Sequence, residues 1–385
     1  MITIILLFIY ADHVVFFLII IFDNVLVNKN IFQKYATLMK AKMRVFLLFL
    51  VTLYSQSILL NAEFLSRSPF NTSIWMQQLL PNISHLHLYN ITLPGTHDAA
   101  SFTITSALSP DPTGNPVLDE IIRLAEKLGI PVQDVVIPWA ESQNRTLYGQ
   151  AEDGMRYFDV RAAYNGTDWC SYHFDLGLPI YTHLSALQSF LLSHPSEIMV
   201  IEVSHLVSAN LTQDNLNTLR DMIINLFGSM LYPRTKDFQT MTIGEMIASN
   251  QRVVVTLSDD KTIANYTQLW PGSSMINSYA NSDSLPQMIA YNTQQVQQFN
   301  TLSSLPMNAL YKLSWTLTPQ ASTIVDSVLP DKPRSLKQLA DIGNSGLSAF
   351  ANSTLTKRWK LCQLLLIDFQ ERSTIMDVIF ASFFL

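Results

Sequence analysis

The segment Gly154-Met155-Arg156-Tyr157-Phe158-Asp159-Val160-Arg161 lies near the middle of this 385-residue chain and decides its fold. Residues 156–164 predict a β-strand, apolar apart from a few charged positions. Asp159 and Arg161 have one residue between them, so both side chains lie on the same face of the strand. Charged side chains inside an apolar strand are costly to bury unless they are paired. The segment therefore predicts a buried strand that carries a polar site.

Short apolar runs and longer helix-like segments alternate on both sides of this strand. Such alternation over some 300 residues indicates an α/β fold with a parallel sheet. The length fits a distorted (β/α)8 barrel of the TIM type, because such barrels take roughly 250 residues. A doubly wound open sheet is the alternative, but the Gly-rich phosphate loop that it normally carries after its first strand is missing. The predicted strands are residues 87–93, 156–164, 170–174, 198–203, 252–257, 310–317 and 364–369, and the predicted helices are 117–128, 184–192, 212–226, 335–351 and 374–385, with one more ending at 249.

Composition excludes several classes of protein. The net charge is −6, and no basic footprint for a nucleic acid is present. Cys170 and Cys362 are the only cysteines, which excludes a disulfide-dense scaffold. They form no Cys-x-x-Cys motif, so zinc and iron–sulfur sites have no support. Whether the two cysteines pair with each other is left open.

The first sixty residues contain two apolar stretches. The second, residues 45–54, follows three basic residues and becomes polar and small before Ala62. A basic region, a short apolar core and a small-residue end are typical of a secretory signal peptide, with Met39 or Met43 as its start. We therefore divide the chain into an upstream extension plus signal peptide, residues 1–62, and a single barrel domain, residues 63–385. The alternative is that the first stretch, residues 2–21, is a membrane anchor.

N-glycosylation sequons also indicate a secretory route. Eight Asn-x-Ser/Thr sequences occur along the chain, and each is an acceptor only where its asparagine lies on the surface. They predict a secreted glycoprotein. The eight asparagines are Asn71, Asn82, Asn90, Asn144, Asn165, Asn210, Asn265 and Asn352.

Polar residues recur where the predicted strands end. Active sites of parallel barrels collect at the carboxyl ends of the strands, so these residues are candidates for one shared site. Two histidines, an arginine and several carboxylates suit general acid–base chemistry around an anion. Each also has a structural interpretation when taken alone: a core histidine, an ion pair or a packing tryptophan. The candidates are His97 and Asp98 after the first strand, Asp159 and Arg161 in the second, His173 in the third, Glu202 in the fourth, Trp315 in strand 310–317, taken as the seventh of a barrel of eight, and Asp368 in strand 364–369, taken as the eighth.

Several segments resemble the X-domain family of phosphatidylinositol-specific phospholipases C, in its bacterial and small eukaryotic branch. The resemblance runs from about Trp75 to the end of the chain, and its first two motifs are the most specific. The matching segments are Trp75-Met76, Ile91-Thr92-Leu93-Pro94-Gly95-Thr96-His97-Asp98, Gln150, Gly154 to Arg161, Tyr172-His173, Phe190-Leu191, His194-Pro195-Ser196-Glu197, Asn250 to Val255 and Leu317-Thr318-Pro319.

This resemblance implies a distorted, partly open barrel and an acid–base cleavage that yields diacylglycerol and inositol 1,2-cyclic phosphate. His97 resembles the general base that activates the inositol 2-hydroxyl, and His173 the general acid that protonates the leaving glycerol oxygen. Arg161 would bind a phosphate oxygen as charge develops on it. The supporting positions would be Asp98 for the acid, Asp368 to orient His97, Asp159 for Arg161 or the substrate, and Glu202 and Trp315 for the inositol ring.

Three positions depart from family patterns. Calcium-dependent members carry carboxylates where this chain has Asp159 and Arg161, so we predict no metal and no other cofactor. Phe174 replaces the usual glycine after the second histidine, and His183 is a fallback acid. Glu202 stands where the bacterial enzymes tend to have a basic residue.

The predicted partners are a phospholipid substrate, phosphatidylinositol or its glycosylated derivatives, and a membrane surface that is contacted transiently through the barrel rim. Two other functions stay open. One is a related phosphodiesterase that acts on a different lipid head group. The other is a secreted binding protein with a weakened site on the same fold.

Overall fold

The computed structural model describes residues 3–6, 18–21, 70–105, 107, 116–301, 306–355 and 362–383. Contacts divide the chain into two compact units, residues 1–69 and 70–385. In the first unit, β1 (Thr3–Leu6) pairs antiparallel with β2 (Leu18–Ile21). The predicted signal peptide and its start lie outside the described residues. Among the helices that the structure describes, none is both long and apolar enough to cross a membrane.

The second unit alternates strands and helices. Its strands are β3 (Leu93–Thr96), β4 (Tyr157–Tyr164), β5 (Trp169–His173), β6 (Asp175–Pro179), β7 (Met199–Val207), β8 (Val253–Leu257), β9 (Trp270–Pro271), β10 (Met275–Ser278), β11 (Leu310–Trp315) and β12 (Leu364–Ile367). Its helices are α1 (Trp75–Ile83), α2 (Pro116–Leu128), α3 (Val132–Ala140), α4 (Leu147–Glu152), α5 (Ile180–Ser193), α6 (Gln213–Phe227), α7 (Ile243–Ala248), α8 (Asp260–Ile263), α9 (Leu285–Thr301), α10 (Ala321–Asp326), α11 (Leu336–Ser345), α12 (Leu347–Phe350) and α13 (Ile375–Ser382).

Eight parallel strands form one curled sheet in the order β10-β11-β12-β3-β4-β7-β8-β9. This arrangement confirms the predicted α/β barrel of the TIM type and excludes the doubly wound alternative. Within the described residues, β9 and β10 are the two ends of the sheet and form no ladder with each other. The barrel is therefore partly open.

The segment ending at His173 is not a barrel strand, contrary to the prediction. β5 pairs antiparallel with β4 and with β6, so it forms a hairpin beside the parallel sheet. Gly166 makes the reversal possible, because its φ of 101° is open to glycine at little cost. Glu202 therefore lies on the third barrel strand, β7, and not on the fourth. The short strands β9 and β10, which the apolar pattern does not reveal, complete the eight.

The first barrel strand also differs from its predicted bounds. Residues 88–90 form a turn of 3-10 helix, and the strand is Leu93–Thr96, which includes Pro94 and Gly95. Proline is tolerated here because the ladder with β4 begins only at Gly95, opposite Tyr157. A side chain at Gly95 would collide with the Tyr157 ring. The absence of a side chain at Gly95 thus leaves space for the Tyr157 ring inside the barrel.

A buried ion pair ties the start of β4 to the segment before β7. Arg156 donates to Glu197 at 2.9 and 2.7 Å, and neither side chain is exposed by more than 1%. The remaining guanidinium hydrogens donate to backbone carbonyls, including Ala151 and Ser73. Because all of these donors are satisfied, the charge can be buried. The pair fixes β4, and with it the side chains of Asp159 and Arg161.

Two smaller predictions differ in detail. The predicted helix 335–351 is divided into α11 and α12, since the first ends at Ser345 and the second begins at Leu347. Cys170 and Cys362 are both unpaired and buried.

Candidate active site

Residues from four strands meet at the carboxyl end of the sheet. His97 and Asp98 follow β3, Arg161 points inward from β4, His173 ends β5, and Asp368 follows β12. The His97 and His173 rings lie 6.3 Å apart, centroid to centroid. Between 13% and 22% of the His97, His173 and Arg161 side chains is exposed, whereas Asp98 and Asp368 are almost fully buried. The three basic groups therefore face the open mouth, and the acids support them from below.

His97 has a partner at each ring nitrogen. Nδ1 lies 2.8 Å from Oδ1 of Asp368, and Nε2 lies 3.0 Å from a terminal nitrogen of Arg161. Nε2 also lies 3.4 Å from Asp98. A carboxylate at Nδ1 fixes the orientation of the ring and places a proton on that nitrogen. This geometry brings His97 and Asp368 together as the sequence predicts.

The carboxylate of Asp98 is the centre of the cluster. Oδ1 forms an ion pair with Nε of Arg161, and Oδ2 lies 3.4 Å from Nε2 of both His97 and His173. Burial opposes ionisation of Asp98, but Arg161 and the two histidines outweigh this and lower its pKa to about 2. Asp98 is therefore ionised at any physiological pH and holds three basic groups together.

His173 and its unusual neighbour Phe174 form a stacked pair. The two rings lie 4.7 Å apart and are inclined by 16°. Phe174 has a φ of 66°, a left-handed conformation that glycine adopts most easily, which explains the glycine expected at this position. Nδ1 of His173 lies 2.7 Å from the carbonyl of Ala140, so Nε2 faces Asp98. Phe174 thus packs on the face of the imidazole and leaves its polar edge directed at the cluster.

Asp159 and Glu202 lie one level below the cluster, opposite each other on β4 and β7. Oδ2 of Asp159 is 3.5 Å from the backbone nitrogen of Asp98. Oε2 of Glu202 accepts hydrogen bonds from Tyr157 and, at 2.8 Å, from Lys312. Lys312 is 3% exposed, and attraction to Asp159 and Glu202 outweighs burial and raises its pKa. The floor of the site is therefore a neutralised pair of buried charges.

Lys312 was missed by the sequence interpretation. It lies inside the apolar strand β11, three residues before Trp315. The rule that singled out Asp159 and Arg161, a charged residue within a buried strand, would have found it.

Two candidates do not join the cluster. Trp315 points away from the barrel interior: its indole donates to the carbonyl of Gly343 at 2.9 Å and packs 4.6 Å from the Phe350 ring. His183 is buried in contact with Phe102, and its Nε2 lies 3.1 Å from the hydroxyl of Ser171. Trp315 is a packing residue, and the structure places His173 rather than His183 beside Asp98.

The two histidines of the cluster differ in proton affinity. Burial lowers the pKa of His97, but Asp98 and Asp368 outweigh it and raise this pKa to about 9. Burial also lowers the pKa of His173, and here Asp98 offsets it only in part. In the ligand-free protein at neutral pH, His97 therefore carries the proton and His173 is neutral.

A metal could use three atoms of this site, because possible ligand atoms of His97, Asp98 and Asp159 lie within 4.8 Å of one another. Asp98 is already bound to the guanidinium of Arg161. A fixed positive charge thus stands where a cation would bind.

The fold and the site together define a class of protein: α/β barrels that carry a cluster of acidic and basic groups at the carboxyl ends of their strands. No protein-family model matches the chain. It is 28% identical over 257 residues to human PI-PLC X domain-containing protein 2, covering 65% of this chain and 79% of that protein. It is 27% identical over 207 residues to mouse PI-PLC X domain-containing protein 1, covering 51% and 56%.

Solved structures show the same fold. The phosphatidylinositol-specific phospholipase C from Listeria monocytogenes superposes with a TM-score of 0.53 at 20% identity, covering 80% of this chain and 98% of that one. The enzyme from Staphylococcus aureus gives 0.55 at 15% identity, covering 80% and 97%. Together with the sequence matches, these likenesses confirm the predicted resemblance to the phosphatidylinositol-specific phospholipase C X-domain family.

Replacing Asp368 by asparagine should lower the pKa of His97, because it removes one of the two carboxylates that raise this pKa. We expect the protonation equilibrium to shift roughly tenfold toward neutral imidazole. An NMR pH titration of the imidazole measures this shift. His183, whose pKa burial lowers to about 4, is the internal control and should not move. An unchanged His97 in Asp368→Asn would contradict the assigned contact.

Proposed function

We propose that the chain is a metal-independent phosphodiesterase of the phosphatidylinositol-specific phospholipase C type. The observation that carries the proposal is the Asp98 carboxylate, which holds Arg161, His97 and His173 around one opening. An arginine between two histidines suits a phosphodiester, because the anion meets a fixed positive charge and has a proton acceptor and a proton donor beside it.

In the proposed reaction His97 removes the proton from the inositol 2-hydroxyl. The oxygen attacks phosphorus and forms the new O–P bond of inositol 1,2-cyclic phosphate. The bond from phosphorus to the glycerol oxygen breaks, and His173 gives that oxygen a proton, which yields diacylglycerol. Arg161 donates hydrogen bonds to a non-bridging oxygen as negative charge develops. Asp368 stabilises the protonated His97 that results.

These roles require a redistribution of one proton. In the ligand-free site the proton lies on His97, whereas the reaction begins with neutral His97 and protonated His173. A bound phosphodiester anion favours the change, because negative charge beside His173 raises its affinity for a proton. Arg161 also favours neutral His97, because its positive charge, 3.0 Å from Nε2, lowers the pKa of His97.

The floor of the barrel is suited to a polyol. Both hydrogen bonds of Glu202 go to Oε2, and its Oε1 has no hydrogen-bond partner among the described residues. That oxygen can accept from a ring hydroxyl, while Asp159 lies next to it on the neighbouring strand. We propose that the inositol ring binds here, with Lys312 balancing the charge of Glu202.

Phosphatidylinositol vesicles in EDTA test the activity. Wild-type protein should release inositol 1,2-cyclic phosphate, and His97→Ala should lose roughly 10²–10⁴-fold in rate. The exposed His85 gives a matched control, His85→Ala, which should keep full activity. Loss of activity in EDTA with recovery in calcium would refute metal independence. No product from folded wild type would favour the binding-protein alternative.

The same assay assigns the two histidines. A substrate whose leaving group needs no protonation, such as a nitrophenyl phosphodiester of inositol, should restore most of the activity of His173→Ala. It should not restore His97→Ala, because the 2-hydroxyl still needs a base. Rescue of His97→Ala instead would reverse the proposed roles.

We propose that the barrel rim near α2 and α10 docks on a lipid surface. These two helices pack against each other and follow the carboxyl ends of β3 and β11, on the side of the active site. Large apolar side chains there are exposed by 40–51%: Leu128, Ile130, Val325, Val328 and Leu329. An apolar rim beside a site for a lipid head group would keep the acyl chains in the membrane.

Docking should fail when this rim is made polar. The double variant Val328→Ser/Leu329→Ser should lose roughly 100-fold in activity on vesicles, since each of the two buried aliphatic side chains contributes about 1.5 kcal/mol. Its activity on a monomeric short-chain substrate should stay unchanged. Leu192→Ser is the matched control, because Leu192 is 65% exposed at the far end of α5. Equal losses on both substrates would contradict docking through this rim.

We propose further that the protein enters the secretory pathway and is glycosylated. All eight sequon asparagines are exposed, including Asn90 and Asn144, which lie beside the site motifs. Exposure is the physical condition for modification of each of them.

A eukaryotic secretory host tests this proposal. The chain should appear in the medium with an N-terminus near Ala62, and peptide N-glycosidase should lower its apparent mass. A protein that stays in the membrane fraction would favour the anchor alternative, and an unchanged mass would contradict glycosylation.

A further inference from the structure

The two residues Ser142 and Gln143 are inserted where β3 and β12 separate. The backbone nitrogen of His97 donates to the carbonyl of Ile367 at 2.9 Å, the last ladder bond between the two strands. In a regular parallel ladder the nitrogen of Phe369 would next donate to the carbonyl of His97. Here Phe369 donates instead to the carbonyl of Ser142, at 2.8 Å. The ladder is therefore interrupted at the residues that carry the His97–Asp368 pair.

Gln143 bonds the carbonyl of His97 that this interruption leaves open, and it adds a second bond to Ile367. Its Nε2 donates to the carbonyl of His97 at 3.1 Å and to that of Ile367 at 3.0 Å. Its Oε1 accepts from the nitrogen of Gln370 at 3.3 Å. The side chain is fully buried. One amide thus replaces a missing section of sheet and contacts the backbone on both sides of Asp368.

We propose that Gln143 is a positioning residue for the catalytic pair, holding the backbones of His97 and Asp368 at the separation that their 2.8 Å contact requires. Its two donated bonds span the two strands, whereas no other side chain among the described residues donates to both. The 2.8 Å contact with Asp368 helps to raise the pKa of His97. Loss of the Gln143 hydrogen bonds should therefore lower this pKa.

Other charged groups act on His97 and stay in place when Gln143 is changed. Asp98 on the same strand end, Arg161 on β4 and His173 on β5 all face the ring. A shift in the titration of His97 therefore reports on Asp368, provided that these three groups are unchanged.

The variant Gln143→Met keeps the size of the side chain and removes its hydrogen bonds. We expect the protonation equilibrium of His97 to shift roughly tenfold toward neutral imidazole, as in Asp368→Asn. The NMR titration measures this without any activity. Where Gln143→Met does not fold, Gln143→Leu supplies the same measurement, because it also removes the hydrogen bonds of the side chain and adds no charge near His97.

Gln363 provides the matched control. It too is buried and bridges strands, donating to the carbonyl of Tyr89 at 3.2 Å and accepting from the nitrogen of Tyr311 at 2.8 Å, but at the opposite end of β12. Gln363→Met should lower the unfolding midpoint about as much as Gln143→Met, with His97 titrating as in wild type. An unchanged His97 in Gln143→Met, or equal shifts in both variants, would overturn the inference.

The effect on turnover rests on the proposed function. In the phosphatidylinositol assay, kcat of Gln143→Met should fall roughly tenfold, which corresponds to about 1.4 kcal/mol of lost positioning. If wild type cleaves no phosphodiester, the proposed function fails, but the titration still decides the role of Gln143.

Discussion

The buried carboxylate of Asp98 is the constraint on which the site depends. It contacts basic groups from three different segments, and each of these would be costly to hold in a low-dielectric interior without it. Asp98 has a φ of 41°, an unfavourable conformation that turns its side chain back under the cluster at the end of β3. The contacts of the ionised Asp98 carboxylate with Arg161 and both histidines offset this unfavourable backbone conformation. Removing the carboxylate would leave three basic groups facing one another.

Electrostatics divide the barrel interior into levels. The upper level holds the histidines and Arg161, which face the mouth and suit an anion. The lower level holds Asp159, Glu202 and Lys312, and the charges of Glu202 and Lys312 cancel across 2.8 Å. In the proposed complex, the phosphodiester anion would bind beside Arg161 and the histidines, and the polyol would bind beside this lower level.

Phe174 illustrates how an unfavourable residue is tolerated near a functional group. A left-handed backbone angle at a phenylalanine costs energy, whereas glycine would adopt it freely. The stacked contact with His173 offsets part of that cost and shields one face of the imidazole. The polar edge stays directed at Asp98, since the carbonyl of Ala140 holds the opposite nitrogen. Phe174 therefore covers one face of the ring and leaves its polar edge in contact with Asp98.

Local pattern was sufficient for six of the eight barrel strands and for most of the cluster. Alternating apolar strands and helices predict a barrel, and charged residues within those strands identify Asp159, Arg161 and Asp368, because burying charge is costly at any position. The pattern failed where the backbone is irregular. The chain reverses direction at Gly166, between β4 and β5. Pro94 and Gly95 lie within a strand rather than at its end, and the absence of a side chain at Gly95 leaves space for the Tyr157 ring.

By itself, the sequence determined the fold class and which charged residues are candidates for the site, because hydrophobic periodicity and the cost of buried charge act on each segment separately. Only the tertiary structure decided that Trp315 faces the helices, that Lys312 pairs with Glu202, and that Asp98 and Asp368 together raise the pKa of His97. These outcomes depend on distances between strands far apart in the chain. Gln143 belongs with them: its importance arises from a gap between two strands that no local pattern of residues records.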